Sequence, residues 1–325
     1  IFPNLGFDTF TSAEYMPEEE NKNPLGWTKD EVLTDEIIKC LDSTEGSDYI
    51  YTISTQGHGA YPEEELIDDP EITVTGAASE AQNNQWEYYC NEIHEMDNFV
   101  KELTDALADY PEDVILVMYG DHLPTMGLKV EDLKNKYLFQ TEYVMWNNFG
   151  MEKKDVNLAA YQMAAEVMDR AGIHEGTVFR YHQARRNTRN YQVDLETLQY
   201  DLLYGEQYSY KDNGETFERT KMRMGLYDVS LDSMDLVSAS DFTYRLKGTN
   251  FTPCSQVKLN GEWIDTVYVN PTTLVISGTE LKDFDRVSVS QRSNSSTRKA
   301  LSKSYDRSAY MLYSENKWKL PTDES

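Results

Sequence analysis

Three cysteines in 325 residues, Cys40, Cys90 and Cys254, are odd in number and too far apart to frame a disulfide-stapled fold. No CxxC pair is present to hold a zinc knuckle. Basic charge is scarce too: 30 lysines and arginines stand against 57 acids, a net charge of −27. A surface so poor in cations argues against nucleic acid, whose phosphates need a basic footprint, and against adhesion to an anionic bilayer by charge alone. No apolar run reaches membrane-spanning length, and neither an internal repeat nor a long low-complexity tract is found. What remains is 39% hydrophobic and 27% charged, the composition of a soluble globular chain with room for about two domains. It opens on Ile1 with words that read like the middle of a protein, so we expect a fragment or a processed chain.

The stretch that organises the rest is 114–124, VILVMYGDHLP. Its apolar run reads as a strand buried on both faces, broken by Gly120 and followed at once by Asp121 and His122. In open α/β sheets ligands bind outside the carboxyl ends of the strands, and a carboxylate beside an imidazole suits a divalent cation. The bland alternative is an aspartate capping the next turn and a histidine bonded nearby. A second strand is expected at 48–54, rich in β-branched and aromatic residues. It runs into Gln56-Gly57-His58-Gly59-Ala60-Tyr61-Pro62, where two glycines hold His58 on a tight, exposed loop.

Thr28-Lys29-Asp30-Glu31 has the form of a capping box opening a helix. Trp27 before it is either a hydrophobic staple, the favoured reading, or an aromatic wall for a ligand. A long helix is expected over 83–107, with Tyr88, Phe99, Leu103 and Leu107 on its apolar face. His94 and Asp97 lie one turn apart on it, spaced for a metal pair, although a helix–loop hydrogen bond is favoured. The order helix, strand, helix, strand over 30–121 argues for parallel strands joined by crossover helices. That order places His58 and the Asp121-His122 pair on one edge of one sheet. Further on we expect a short helix at 129–137, a strand at 143–148 and a helix at 156–171. The cluster Arg180, Arg185, Arg186 and Arg189, with His182 among them, could seat a phosphate, but a solvated stretch is favoured.

From about residue 228 the texture changes to short alternating runs at 242–246, 256–259, 266–269, 273–276 and 287–289. Asn260-Gly261 between two of them signals a type I′ hairpin. Such spacing predicts a small β-sandwich, without the Cys–Trp–Cys core of antibody domains. The expected division is 1–210, a linker at 211–227, and an accessory sandwich at 228–325.

Tyr119-Gly120-Asp121-His122-Leu123-Pro124 after an apolar strand resembles the signature of the lipoteichoic acid synthase-like phosphoglycerol transferases, members of the sulfatase/alkaline phosphatase superfamily. Three further stretches share the resemblance: Leu5-Gly6-Phe7-Asp8 with Phe10, the histidine loop from Thr52 to Tyr61, and Tyr89, Asn91, Ile93, His94 and Asp97 on the long helix. It covers residues 1 to about 170; the last hundred are similar to Ig-like modules on pattern alone. The resemblance implies an α/β, alkaline phosphatase-like, mostly parallel sheet with flanking helices, partial here, followed by a small all-β Ig-like sandwich.

It also implies an activity. Phosphatidylglycerol or a related phospholipid is cleaved, and glycerol phosphate passes to a glycerol phosphate polymer or glycolipid acceptor of the cell envelope. One divalent ion, Mn²⁺ or else Mg²⁺ or Zn²⁺, is held by an acid, an Asp-His pair and the nucleophilic threonine; the pair falls on Asp121 and His122. The family's loop histidine, beside the phosphate or leaving group, falls on His58. The threonine, the acidic ligand and a Trp-Asn-Arg substrate stretch are expected upstream of Ile1, and Trp27 is not that tryptophan. The sulfatase Cys-x-Pro-x-Arg nucleophile motif is absent. The chain is therefore expected to hold about half a site and to be inactive alone. Its parent would be anchored by upstream membrane helices on the outer face of a Gram-positive-type cell membrane. The alternatives are a sibling sulfatase or phosphoesterase with another substrate, and an inactive cell-wall binding protein.

Overall fold

The computed structural model describes residues 1–16, 22–208, 218–293 and 299–317. Residues 211–217 of the expected linker lie outside the described residues. The helices are α1 (Val32–Leu41), α2 (Glu80–Ala108), α3 (Met163–Arg170), α4 (Thr177–Arg185), α5 (Tyr191–Leu203) and α6 (Ala309–Lys317). The strands are β1 (Thr9–Phe10), β2 (Ile115–Tyr119), β3 (Tyr143–Asn147), β4 (Arg223–Met224), β5 (Ser230–Ser238), β6 (Thr243–Thr249) and β7 (Ser255–Leu259). They continue with β8 (Glu262–Trp263), β9 (Val267–Asn270), β10 (Thr273–Ile276), β11 (Arg286–Arg292), β12 (Ala300–Lys303) and β13 (Arg307–Ser308). The chain divides into two units, one of residues 1–106, 122–140 and 220–325, the other of 107–121 and 141–219.

In the first unit α2 buries Tyr88, Phe99 and Leu103 at the expected helical spacing. His94 makes the favoured helix–loop bond, its Nε2 standing 2.9 Å from Glu71 Oε2. The sandwich has two antiparallel sheets, β5-β6-β10-β9 and β12-β11-β7-β8, with β13 beside β11. Between them lies a core of Leu231, Met234, Tyr244, Leu246, Val257, Leu274, Val287 and Val289, closed by Ala309 and Leu312 of α6. Asn260 and Gly261, both at positive φ, join β7 to β8 in the turn that their sequence signals. Near the N-terminus β1 pairs with β4 in parallel, Thr9 against Arg223 and Phe10 against Met224. Phe2, Phe7 and Phe10 form an aromatic cluster that reaches Tyr49.

In the second unit β2 pairs with β3 antiparallel, Val117 opposite Met145. Asn148 ties this pair to the chain before it: its side-chain oxygen accepts from Val114 N–H at 2.8 Å, and its Nδ2 donates to Leu107 O and Glu112 O. Glu166 on α3 is wholly buried, bonded to Arg170 Nε at 3.0 Å and to Arg186. Arg185 faces Asp194 at 3.5 Å, and His182 is buried with Nδ1 2.7 Å from the Tyr191 hydroxyl. Two members of the arginine cluster are thus engaged in ion pairs within the unit.

Several expectations are corrected. Residues 48–54 form no strand: the stretch is extended, and Tyr49, Tyr51 and Ile53 are exposed. β-Propensity describes fit to a pleated surface, and a strand also needs a neighbour to exchange hydrogen bonds with. The crossover between parallel strands at 48–54 and 115–119 is therefore not found among the described residues, where pairing is mixed. The strand at 115–119 is half-buried rather than buried on both faces. Thr28 opens no helix. It bridges to Lys22, α1 starts four residues later, and no side chain caps it. Residues 129–137 hold only a short 3₁₀ turn, and the helix expected at 156–171 is confined to α3 after a 3₁₀ turn.

Candidate functional site

His58 sits where the extended stretch turns, its backbone N–H donating to Thr55 O at 3.1 Å. Its Nδ1 lies against the carbonyl oxygen of Gly59. A carbonyl only accepts, so Nδ1 carries the hydrogen and, in the neutral ring, Nε2 carries the lone pair. The exposed imidazole is flanked by Trp27, ring centroids 5.5 Å apart. The staple reading of Trp27 loses its premise with the capping box, and the ring packs beside His58 instead. Trp27 is positioned by its N–H, which donates to Asn23 Oδ1 at 2.9 Å.

Behind the loop lies a buried polar latch. Gln56 is 2% exposed; its Oε1 accepts from Asp30 N–H at 2.9 Å and its Nε2 donates to Glu95. Asp30 in turn accepts from Ser54 Oγ at 2.6 Å and Thr55 N–H at 3.2 Å. Asn23 Nδ2 donates to Gln56 O and to Glu92 Oε2. Burial raises the Glu92 carboxyl above its ordinary range, and the bonds from Asn23 and Gln56 pull it partly back. Each buried polar group so paired escapes the cost of an orphan, and together they fix the path of residues 54–58.

His122 is exposed, its Nδ1 2.9 Å from Leu123 O, so it too carries its lone pair on Nε2. The loop continues into buried Met126, whose N–H donates to Pro124 O at 2.9 Å. The two histidine loops meet within the first unit. A Cβ built on Gly59 would stand 3.3 Å from Thr125 Oγ1 and 3.2 Å from the Tyr61 ring, so glycine permits this approach. Asp121, one peptide bond before His122, is exposed beyond β2 in the second unit. There Gly120 O accepts from Thr141 Oγ1 at 2.6 Å.

Sequence reasoning singled out His58, Asp121 and His122 and missed Asn23, Asp30, Gln56, Glu95 and Thr125. For Gln56 the available signal was an amide directly before Gly57-His58-Gly59. The donor chemistry of Asp121 and His122 suits a divalent ion, and a backbone carbonyl on Nδ1 is the usual way a ligating histidine is oriented. In number the donors fall short: among the described residues no group of three or more His, Cys, Asp or Glu is placed to hold a metal.

A family model described as Sulfatase matches residues 1–173. A curated relative, the "Putative cyclic beta-1,2-glucan modification protein" of Rhizobium meliloti (strain 1021), is 25% identical over 251 residues, covering 64% of this chain. The chain spans 39% of that relative's length. A solved structure, "Streptococcus pyogenes phosphoglycerol transferase GacH in complex with sn-glycerol-1-phosphate", is similar at 20% identity and a TM-score of 0.49, over 60% of this chain and 53% of that one.

Proposed function

The chain belongs to the sulfatase family, with its sulfatase/alkaline phosphatase-like α/β fold and a C-terminal all-β region, and from that membership we propose that it is the C-terminal part of a metal-dependent phosphoglycerol transferase. Members of the family generally use a divalent metal. In this reading a longer protein cleaves phosphatidylglycerol and passes glycerol phosphate to a cell-envelope acceptor. Residues 1–210 are catalytic and 228–325 accessory. Asp121 and His122 Nε2 are two donors to a divalent ion, Mn²⁺, Mg²⁺ or Zn²⁺, and the nucleophilic threonine and the remaining donors come from outside the sequence given.

The observation that carries the reading is the meeting of the His58 and His122 loops at Gly59 and Thr125, with Nδ1 of each imidazole set against the carbonyl of the next residue. When bound, the ion would lower the nucleophile's pKa and draw charge from the phosphoryl oxygens. His58 contributes at Nε2: protonated, it donates to a phosphoryl or leaving oxygen; neutral, it accepts a proton. The Trp27 ring shields one side of that imidazole from water. No helix among the described residues is long and apolar enough to cross a membrane, and the proposed extracytoplasmic placement relies on upstream helices.

The test is diacylglycerol release from phosphatidylglycerol, with and without Mn²⁺, by this chain and by a version extended at its N-terminus. Activity only in the extended version with metal is expected, with Asp121→Ala lowering it by at least about a hundredfold, the usual scale for losing an electrostatic contact to the transition state. Unchanged turnover in Asp121→Ala would remove the ligand role. The family's own name favours a second reading, a sulfatase or phosphoesterase with another substrate. Hydrolysis of an aryl sulfate by the extended version, with phosphatidylglycerol untouched, would select it.

A further inference from the structure

Val257, Val287 and Val289 point into the sandwich core, so their alternates on β7 and β11 face away from it. Directly paired residues share a face, and the ladders define that outer surface. Ser288 is opposite Lys258, which is opposite Trp263; Ser290 lies between Gln256 and Lys303; Arg286 pairs with Ser308 and Arg292 with Ala300. Four cations and a tryptophan share this face, and none of its paired positions is an acid. In a chain of net charge −27 such a face is a local reversal of the field, able to concentrate anions that the remaining surface repels.

Two of the cations converge on the ring. Lys258 Nζ stands 4.1 Å and Arg292 Cζ 4.7 Å from the Trp263 centroid, and Arg292 is also bonded to Gln256. Lys303 shares its charge with Asp306 at 3.6 Å. The Ser290 hydroxyl on the same face is wholly buried and has no hydrogen-bond partner among the described residues. Four adjacent strands span about 14 Å, more than one small anion fills. Guanidinium and ammonium groups suit phosphate oxygens, and an indole suits the C–H edges of a polyol between them.

We propose that the outer face of β8, β7, β11 and β12, centred on Lys258, Trp263 and Arg292, binds a phosphodiester-linked polyol polymer and holds the acceptor or product chain of the transferase. The choice of glycerol phosphate as its repeat rests on the function proposed above; the binding face does not.

The experiment is calorimetric titration of the full chain with a synthetic six-unit glycerol phosphate oligomer, beside a neutral cyclic glucan and a polygalacturonate of matched charge. The oligomer is expected to bind, more weakly as salt rises, and Lys258→Gln with Arg292→Gln is expected to weaken it about tenfold or more. The double variant His58→Ala, Asp121→Ala should bind as the native chain does, which separates this face from the catalytic reading. Trp263→Phe, which keeps a ring, should bind, and its circular dichroism checks the fold of the sandwich. No binding by the native chain, or binding indifferent to Lys258→Gln with Arg292→Gln, overturns the proposal. So does loss of binding in the His58→Ala, Asp121→Ala variant, or equal binding of the glucan or the polygalacturonate.

Discussion

Gln56→Leu tests whether the buried latch orders the histidine loop. The substitution keeps the volume and removes both amide bonds. Asp30 N–H, whose 2.9 Å bond to Gln56 Oε1 lies in the interior, is left without an acceptor, a cost of about 1–3 kcal/mol. The bond to Glu95 is charge-assisted, but the Glu95 side chain is 42% exposed, so water replaces part of it and the loss there is about 1 kcal/mol. The sum is about 2–4 kcal/mol, falling on residues 54–58 and on the turn before α1. Amide exchange reports it locally: protection at Asp30 and at His58, whose N–H bonds Thr55 O, should drop together, and urea unfolding gives the global loss. Gln56→Glu is the companion. It keeps the shape, loses the donor to Glu95, and sets a new carboxyl beside Glu95 in a buried position. Both effects raise that carboxyl's pKa in the folded state, so the variant should be nearly native below the ordinary carboxyl range and weaken as pH rises through the raised value. A loss under about 0.5 kcal/mol for Gln56→Leu, no more than an ordinary surface substitution, would refute the latch.

Glu166→Gln should destabilise the second unit by about 3 kcal/mol, since it leaves two guanidinium groups without their buried carboxylate; chemical denaturation measures this. Burial alone would raise the Glu166 carboxyl, but the bonds from Arg186 and Arg170 and the charges of Arg186 and Lys154 outweigh it and hold the pKa below the ordinary value. The native stabilisation is therefore present above the unfolded pKa and lost as pH falls through the folded one, and Glu166→Gln should flatten that acid limb. Glu92→Gln has the opposite sign. Because burial raises Glu92, its ionised form costs stability above the folded pKa, so the variant should be more stable than the native chain at pH 7, with a gain that shrinks toward pH 4, near the ordinary range of the group. A larger gain at pH 4 than at pH 7 would contradict the assignment.

The parts legible in the sequence are those whose cause is local. Asn260-Gly261 specifies its turn from two residues, and the alternating run at 273–276 coincides with β10, Thr273–Ile276. The glycines around His58 and the Gly120-Asp121-His122-Leu123-Pro124 run place both loops without reference to anything distant. The parts that escaped depend on partners far away in sequence. Gln56 meets Asp30 26 residues back and Glu95 39 residues on, and no periodicity marks such a contact. Thr28–Glu31 has the pattern of a capping box, yet Asp30 is claimed by Ser54 and Thr55, a tertiary competitor that the pattern cannot show. β5 escaped for a different reason: register shifts between Leu231 and Ser233, and again between Leu236 and Ser238, break the alternation by which a strand is recognised.

The two histidines share a device that bears on what this chain can contribute. In each, Nδ1 is tied to the carbonyl of the next residue, Gly59 for His58 and Leu123 for His122. A ring held by its own neighbour needs no distant partner to select its tautomer, so both Nε2 atoms are set by residues inside this sequence. In the proposed reading a phosphate-binding or proton-passing group and one nitrogen ligand would thus be prepared locally, whereas an ion needs a number of donors that the described residues do not bring together. Added donors should therefore raise metal affinity without changing either ring's tautomer, which nitrogen chemical shifts of His58 and His122 read directly in this chain and in an N-terminally extended one. Tautomers that differ between the two would show that the rings are oriented from outside, and the local argument for His58 and His122 would fail.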